Sequence, residues 1–71
     1  MPNPAADYYK RELQYWSATY LDTQRYIRFV RSLNLPYPEE FLEVNFHLDY
    51  LWYIMNQIDD CRSAIDVLSR V

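Results

Sequence analysis

The sequence has 71 residues, 51% of them hydrophobic, with a net charge of −3 and a pI near 4.8. The acidic charge argues against nucleic acid and anionic membrane surfaces, whose binders carry basic faces. No stretch reaches the roughly 18 consecutive apolar residues of a membrane-spanning helix. A chain of this length forms one domain, and its hydrophobic content argues against disorder. We expect a single domain over residues 1–71, with no nucleic-acid or membrane partner.

The cysteine and histidine counts limit how such a small chain can be stabilised. Domains of this size usually rely on disulfides, a metal or oligomerisation. Cys61 is the only cysteine and His47 the only histidine, so an intrachain disulfide is excluded and no zinc-ligand pattern exists. A lone free cysteine favours a reducing compartment. We therefore expect a cytoplasmic protein with no metal or cofactor, stabilised by self-association.

The first half of the chain predicts a long helix over about residues 4–33. Asn3 followed by Pro4 combines an N-cap side chain with proline at the first helical position. Asn34 is the residue best suited to a left-handed helix stop in a chain without glycine, and Pro36 prevents continuation. The apolar residues between follow the alternating steps of four and three of a heptad seam: Tyr9, Leu13, Trp16, Tyr20, Thr23, Ile27 and Val30.

The second half predicts another long helix over about residues 38–70, after a turn at 34–37. Pro38 and the glutamates that follow it are typical of a helix start. With the turn centred near Leu35, an antiparallel arrangement brings opposite charges together at both ends of the hairpin. The predicted pairs are Arg31 with Glu39, Arg28 with Glu43, and Lys10 and Arg11 with Asp59 and Asp60. The sequence therefore predicts an all-α fold, an antiparallel hairpin of two long helices.

The apolar residues of the second helix exceed what one seam can bury. They surround the helix on nearly all sides from Phe41 to Met55, and a helix that is apolar all round is buried all round. Two hairpins packed as a four-helix bundle would bury this surface. We predict a homodimer, with an interface formed by Leu48, Leu51, Trp52, Ile54, Met55 and Ile58. The alternative is a monomer whose apolar face receives a different protein.

The chain offers few candidates for catalysis. Cys61 and His47 lie 14 positions apart on one helix, roughly 21 Å, so within one chain they cannot act as nucleophile and base. Asp22, His47 and Asp49 would make an acid–base site or, in the simpler interpretation, a solvated stripe. Arg25, Arg28 and Arg31 would hold an anion or pair with glutamates. We expect no catalytic residue and no small-molecule substrate.

The eight tyrosines are the least ordinary feature of the sequence. Tyr37 lies between two prolines at the turn, which would present its ring rigidly, and tyrosines are enriched at interface hot spots. We predict a partner-binding surface at this tip, comprising Tyr37, Arg28, Arg31, Glu39 and Glu40. The alternative role of the Tyr37 ring is to cover the end of the hairpin.

Taken as a class, compact acidic chains of this kind are common among adaptors and among inhibitors encoded by phages and mobile elements. We therefore expect a non-enzymatic interaction module that binds and modulates a partner protein, with inhibition as the expected effect. The alternatives are a structural or assembly subunit of a larger complex and a small helical enzyme with a site between subunits.

Overall fold

The computed structural model describes residues 3–70, which form two long helices joined by a short turn. Helix α1 spans Pro4–Ser32 and helix α2 spans Glu39–Ser69, close to the predicted ranges. The helices run antiparallel and contact each other along their length. The prediction of an all-α helical hairpin is therefore confirmed. Neither helix contains a segment of sufficient length and hydropathy to cross a membrane.

The start of α1 is capped as its sequence predicts. Oδ1 of Asn3 accepts hydrogen bonds from the backbone N–H groups of Ala5 and Ala6, at 3.1 and 3.3 Å. Pro4 occupies the first helical position, where its missing N–H would have no partner within the helix. Asp7 lies in the first turn and places a carboxylate near the positive end of the helix dipole.

The end of α1 is set by Asn34, which has a φ of 51° and lies in the left-handed region. The N–H groups of Leu33 and Asn34 donate to the carbonyls of Val30 and Arg31. Leu35 then folds back and packs on the buried cluster that contains Val30. The turn thus satisfies carbonyls at the helix end and closes the apolar core at the tip of the hairpin.

The φ of Asn34 leads to a stability prediction with an internal control. A residue with a Cβ atom pays roughly 1–2 kcal/mol in the left-handed region, asparagine pays less, and glycine pays almost nothing. Asn34→Ala should therefore lower the free energy of unfolding by about 1 kcal/mol, while Asn34→Gly should leave it nearly unchanged. Urea denaturation compares the two. Equal losses in both variants would mean that the amide side chain matters and the backbone conformation does not.

The core is a narrow seam between the helices. Ile27 and Val30 of α1 form a buried cluster with Val44 of α2, and Leu51 packs against it. Ile54 lies at the middle of the seam with 0% of its surface exposed. The side chains buried in residues 3–70 are Ala6, Thr23, Ile27, Val30, Val44, Ile54 and Cys61.

Contacts between the helices fix their register. The hydroxyl of Tyr26 donates to a carboxylate oxygen of Glu43 at 2.8 Å, and the rings of Trp16 and Tyr53 meet edge to face at 5.7 Å. Residues 26 and 43 lie almost equally far from Leu35 along the chain. The predicted register, with the turn centred near Leu35, is therefore correct.

The predicted ion pairs between the helices are wrong. Within residues 3–70 the ion pairs are Arg25 with Asp22 and Arg70 with Asp66, each within one helix, and Nδ1 of His47 lies 3.8 Å from the carboxylate of Glu43 on the same helix. Glu43, predicted to face Arg28, accepts the hydrogen bond of Tyr26 instead. Exposed pairs between long side chains gain only about 0–1 kcal/mol, so they do not determine which side chains meet.

The hairpin is a thin rod of 55 × 14 × 11 Å with a radius of gyration of 16.3 Å. A compact domain of this length has a radius of about 11 Å. The accessible surface is 5603 Å², against about 4700 Å² for a compact monomer of this mass. The single chain therefore leaves unusually much of its surface in water, and that surface is rich in large apolar side chains.

Candidate protein-interaction surfaces

Most of the exposed apolar residues lie on two opposite sides of the rod. Phe41, Leu48 and Met55 recur every seven positions along one side of α2. Phe46 precedes Leu48 by two positions, which is about 200° around an α-helix, and so lies on the other side. We call the first side the Leu–Trp face and the second the aromatic face. The Leu–Trp face comprises Leu21, Phe41, Leu48, Trp52 and Met55, and the aromatic face comprises Tyr8, Tyr15, Tyr26, Phe46, Tyr50 and Tyr53.

The Leu–Trp face carries most of the residues predicted for the dimer interface. Leu48, Trp52 and Met55 are exposed, and Leu51 and Ile58 are half-buried beside them. Ile54 differs, because it is completely buried between the two helices of one chain and has no surface to offer a second copy. The apolar surface available to a partner therefore excludes Ile54 and includes Phe41 and Leu21, which the sequence prediction omitted.

The tip of the hairpin, residues 35–40, opens onto a shallow groove of about 360 Å³, here called the tip groove. Tyr37 is 81% exposed and its ring lies 5.8 Å from that of Phe41. Of the residues predicted to bind a partner, Tyr37, Arg31 and Glu40 line this groove, while Arg28 and Glu39 are exposed outside it. The full lining is Arg31, Tyr37, Glu40, Phe41, Val44, Asn45 and Leu48.

The tip groove joins two surfaces that the sequence analysis treated as separate. Leu48, predicted for the dimer interface, and Tyr37, predicted for partner binding, line the same depression. Phe41 connects them, because it lies four positions after Tyr37 and seven before Leu48. The spacing of seven positions between Phe41 and Leu48 is visible in the sequence, and it places both residues on the same side of the helix. Aromatic and aliphatic side chains thus run without a break from the tip onto the Leu–Trp face.

A second groove, of about 430 Å³, lies across the aromatic face and is here called the central groove. The His47 ring lies 4.5 Å from the Tyr26 ring and 5.3 Å from the Phe46 ring. Nδ1 of His47 lies 2.9 Å from the backbone carbonyl of Glu43, and because a carbonyl only accepts, Nδ1 carries the proton. The lining is Thr19, Asp22, Thr23, Tyr26, Phe46, His47 and Tyr50.

The candidate acid–base residues are only partly brought together. Asp22 and His47 line the central groove, whereas Asp49 is exposed outside its lining. The nearest charged partner recorded for Asp22 is Arg25, at 3.7 Å on the exposed helix surface. The arrangement offers one imidazole and a carboxylate at the rim.

Cys61 lies in the seam, in a different groove from His47, beside Tyr9 and Trp16. Burial raises the pKa of the Cys61 thiol, and the nearby carboxylates of Glu12 and Asp60 raise it further. A thiol held in its neutral form is a weak nucleophile and a weak metal ligand. Within residues 3–70 no three acidic, histidine or cysteine side chains converge to hold a metal ion.

No protein-family model, curated protein or solved structure matches this chain.

Proposed function

We propose that this protein is a dimeric helical hairpin that binds and modulates, and most simply inhibits, a partner protein in the cytoplasm through its tip. The observation that carries this proposal is the exposed Tyr37 ring beside Phe41, with Arg31 and Glu40 at the edge of the tip groove. An aromatic anchor next to an apolar depression, surrounded by charged groups, is the usual composition of an interface hot spot.

Self-association through the Leu–Trp face is the second part of the proposal. One broad side of the rod, with extents of 55 and 14 Å, has an area of about 770 Å². Stable interfaces bury about 600–1,000 Å² of accessible surface per partner, so a dimer interface would cover a large part of one side. The Leu–Trp face carries the largest aliphatic content. Tyrosine hydroxyls are more abundant on the aromatic face, where they can remain in water.

The two proposed interfaces are compatible on one molecule. Trp52 lies 15 positions beyond Tyr37, roughly 22 Å along the helix. A pair of hairpins that cross near Trp52 would therefore leave each Tyr37 ring accessible at an end of the assembly, with Phe41 and Leu48, which also line the tip groove, at the edge of the dimer interface. Such a dimer would present two copies of the tip groove, one for each partner molecule.

Replacing Tyr37 with alanine tests the tip as the binding surface. Loss of a central aromatic anchor costs about 2 kcal/mol or more of binding, a thirtyfold or greater loss of affinity. Because the ring is so exposed, Tyr37→Ala should leave the helical circular dichroism and the melting temperature close to those of the parent. The affinity is measured by calorimetry with the partner captured from host lysate, and modulation by assaying that partner with and without the hairpin.

Tyr15→Ala is the matched control, since it removes an exposed tyrosine from the aromatic face of α1. It should retain parental affinity. Normal binding by Tyr37→Ala together with weakened binding by Tyr15→Ala would move the partner site to the aromatic face. Unfolding of Tyr37→Ala would make the ring a structural cover for the hairpin end.

A further inference from the structure

The central groove gathers aromatic rings from both helices. Phe46, His47 and Tyr50 lie close together within little more than one turn of α2, and Tyr26 of α1 lines the same groove. The Tyr26 ring and the Phe46 ring each contact the His47 ring, and the Tyr50 ring stacks on that of Tyr53. The groove has a volume of about 430 Å³ and is open to solvent along one side.

The polar side chains that line this groove are hydroxyls, the His47 imidazole and the Asp22 carboxylate, and no lysine or arginine is among the lining residues. Asp22 places a carboxylate at its rim. The Tyr26 hydroxyl donates to the Glu43 carboxylate at 2.8 Å, a bond that raises the pKa of the phenol and pushes electron density into the ring. Electron-rich ring faces and a nearby carboxylate attract cations and repel anions. The chain's net charge of −3 acts in the same direction.

We propose that the central groove binds a quaternary ammonium group, the cation carried by choline and by trimethylated lysine. Such a group is large, weakly hydrated and has no hydrogen-bond donor, so it suits a groove of ring faces better than a primary amine does. Tyr26, Phe46 and Tyr50 supply the ring faces, and Asp22, whose exposed pair with Arg25 is weakly held, supplies a negative charge at the rim. The groove lies on the side opposite the Leu–Trp face, so this site is independent of the proposed dimer and tip functions.

Choline and its neutral isostere 3,3-dimethylbutan-1-ol are the probes, titrated into the 15N-labelled full chain at constant ionic strength. The isostere has the same shape without the charge. Choline should shift the amide resonances around Thr23 and His47 and bind about tenfold or more tightly than the isostere. Equal affinities, or no response of these resonances to choline, would overturn the proposal. The amide of Nα-acetyl-trimethyllysine is titrated in parallel. Tighter binding of choline indicates a free small molecule as the natural ligand, and tighter binding of the trimethyllysine amide indicates a protein side chain.

Substitutions distinguish attraction of the cation to aromatic ring faces from simple apolar contact. Phe46 is exposed, so Phe46→Leu keeps an apolar side chain at little cost to folding and removes only the aromatic face. It should weaken choline about threefold to tenfold and leave the isostere unchanged. Asp22→Asn should weaken choline to a similar degree. Phe41→Leu, the same change in the tip groove, should have no effect. Parental choline affinity in both Phe46→Leu and Asp22→Asn would contradict the assignment.

Discussion

Replacing Ile54 with aspartate is expected to unfold the protein. Ile54 is completely buried in the seam, and along α2 it lies between two other buried residues, Val44 and Cys61. A carboxylate at this position would lose its hydration and find no cation in the seam, at a cost of several kcal/mol. The whole stability of a small domain is about 5–15 kcal/mol. Circular dichroism and thermal denaturation should show a large loss of helix or a melting point far below that of the parent.

Two comparisons isolate the cause of that loss. Asn56→Asp adds the same charge two positions away on the exposed surface and should leave the melting temperature nearly unchanged. Leu51→Asp, at a half-buried position that packs on the core cluster, should destabilise the protein less than Ile54→Asp does. If Ile54→Asp melts like the parent, the seam described for the hairpin is wrong.

Placing glutamates at Leu48 and Trp52 together is expected to convert the proposed dimer to folded monomers. Both side chains are exposed in the single hairpin, so the double variant should keep its helical content. Each substitution occurs twice in a symmetric dimer, so four apolar side chains are lost from the interface. At about 1.5 kcal/mol for each, the dimer loses about 6 kcal/mol, a factor of about ten thousand in the dissociation constant.

The chain provides a closely matched control for this experiment. Leu42 and Phe46 are likewise a leucine and an aromatic residue four positions apart, and neither belongs to the Leu–Trp face. They are 62% and 69% exposed, against 40% and 65% for Leu48 and Trp52. Glutamates at Leu42 and Phe46 should therefore leave the dimer intact. Dissociation caused by this pair, with none from the Leu48 and Trp52 pair, would place the interface on the aromatic face.

The helix ends could be predicted from the sequence because their causes are local. Asn3 caps α1 through bonds to residues two and three positions away, and Asn34 takes up a backbone conformation that few other residues tolerate. Neither depends on distant contacts. The register of the two helices could also be predicted, because a short turn between them leaves little freedom to shift one helix along the other.

The orientation of α2 about its own axis could not be predicted, because apolar residues occur all round it. Ile54 and Trp52 are both large and apolar, two positions apart, and only packing against α1 decides that Ile54 is buried and Trp52 exposed. The ion pairs failed for a related reason, since exposed charges follow the fold and do not determine it. The central groove was missed because its rings come from both helices and meet only once the helices have packed.

The mass of the protein in solution tests most directly the claim that one hairpin is not the complete folded unit. Sedimentation equilibrium at micromolar concentration, extended over a dilution series, measures that mass without reference to any partner. Self-association through the Leu–Trp face predicts twice the chain mass of 8.7 kDa, falling to the chain mass for the variant with glutamates at Leu48 and Trp52. A folded parent protein that sediments at the mass of one chain throughout the series would contradict this claim.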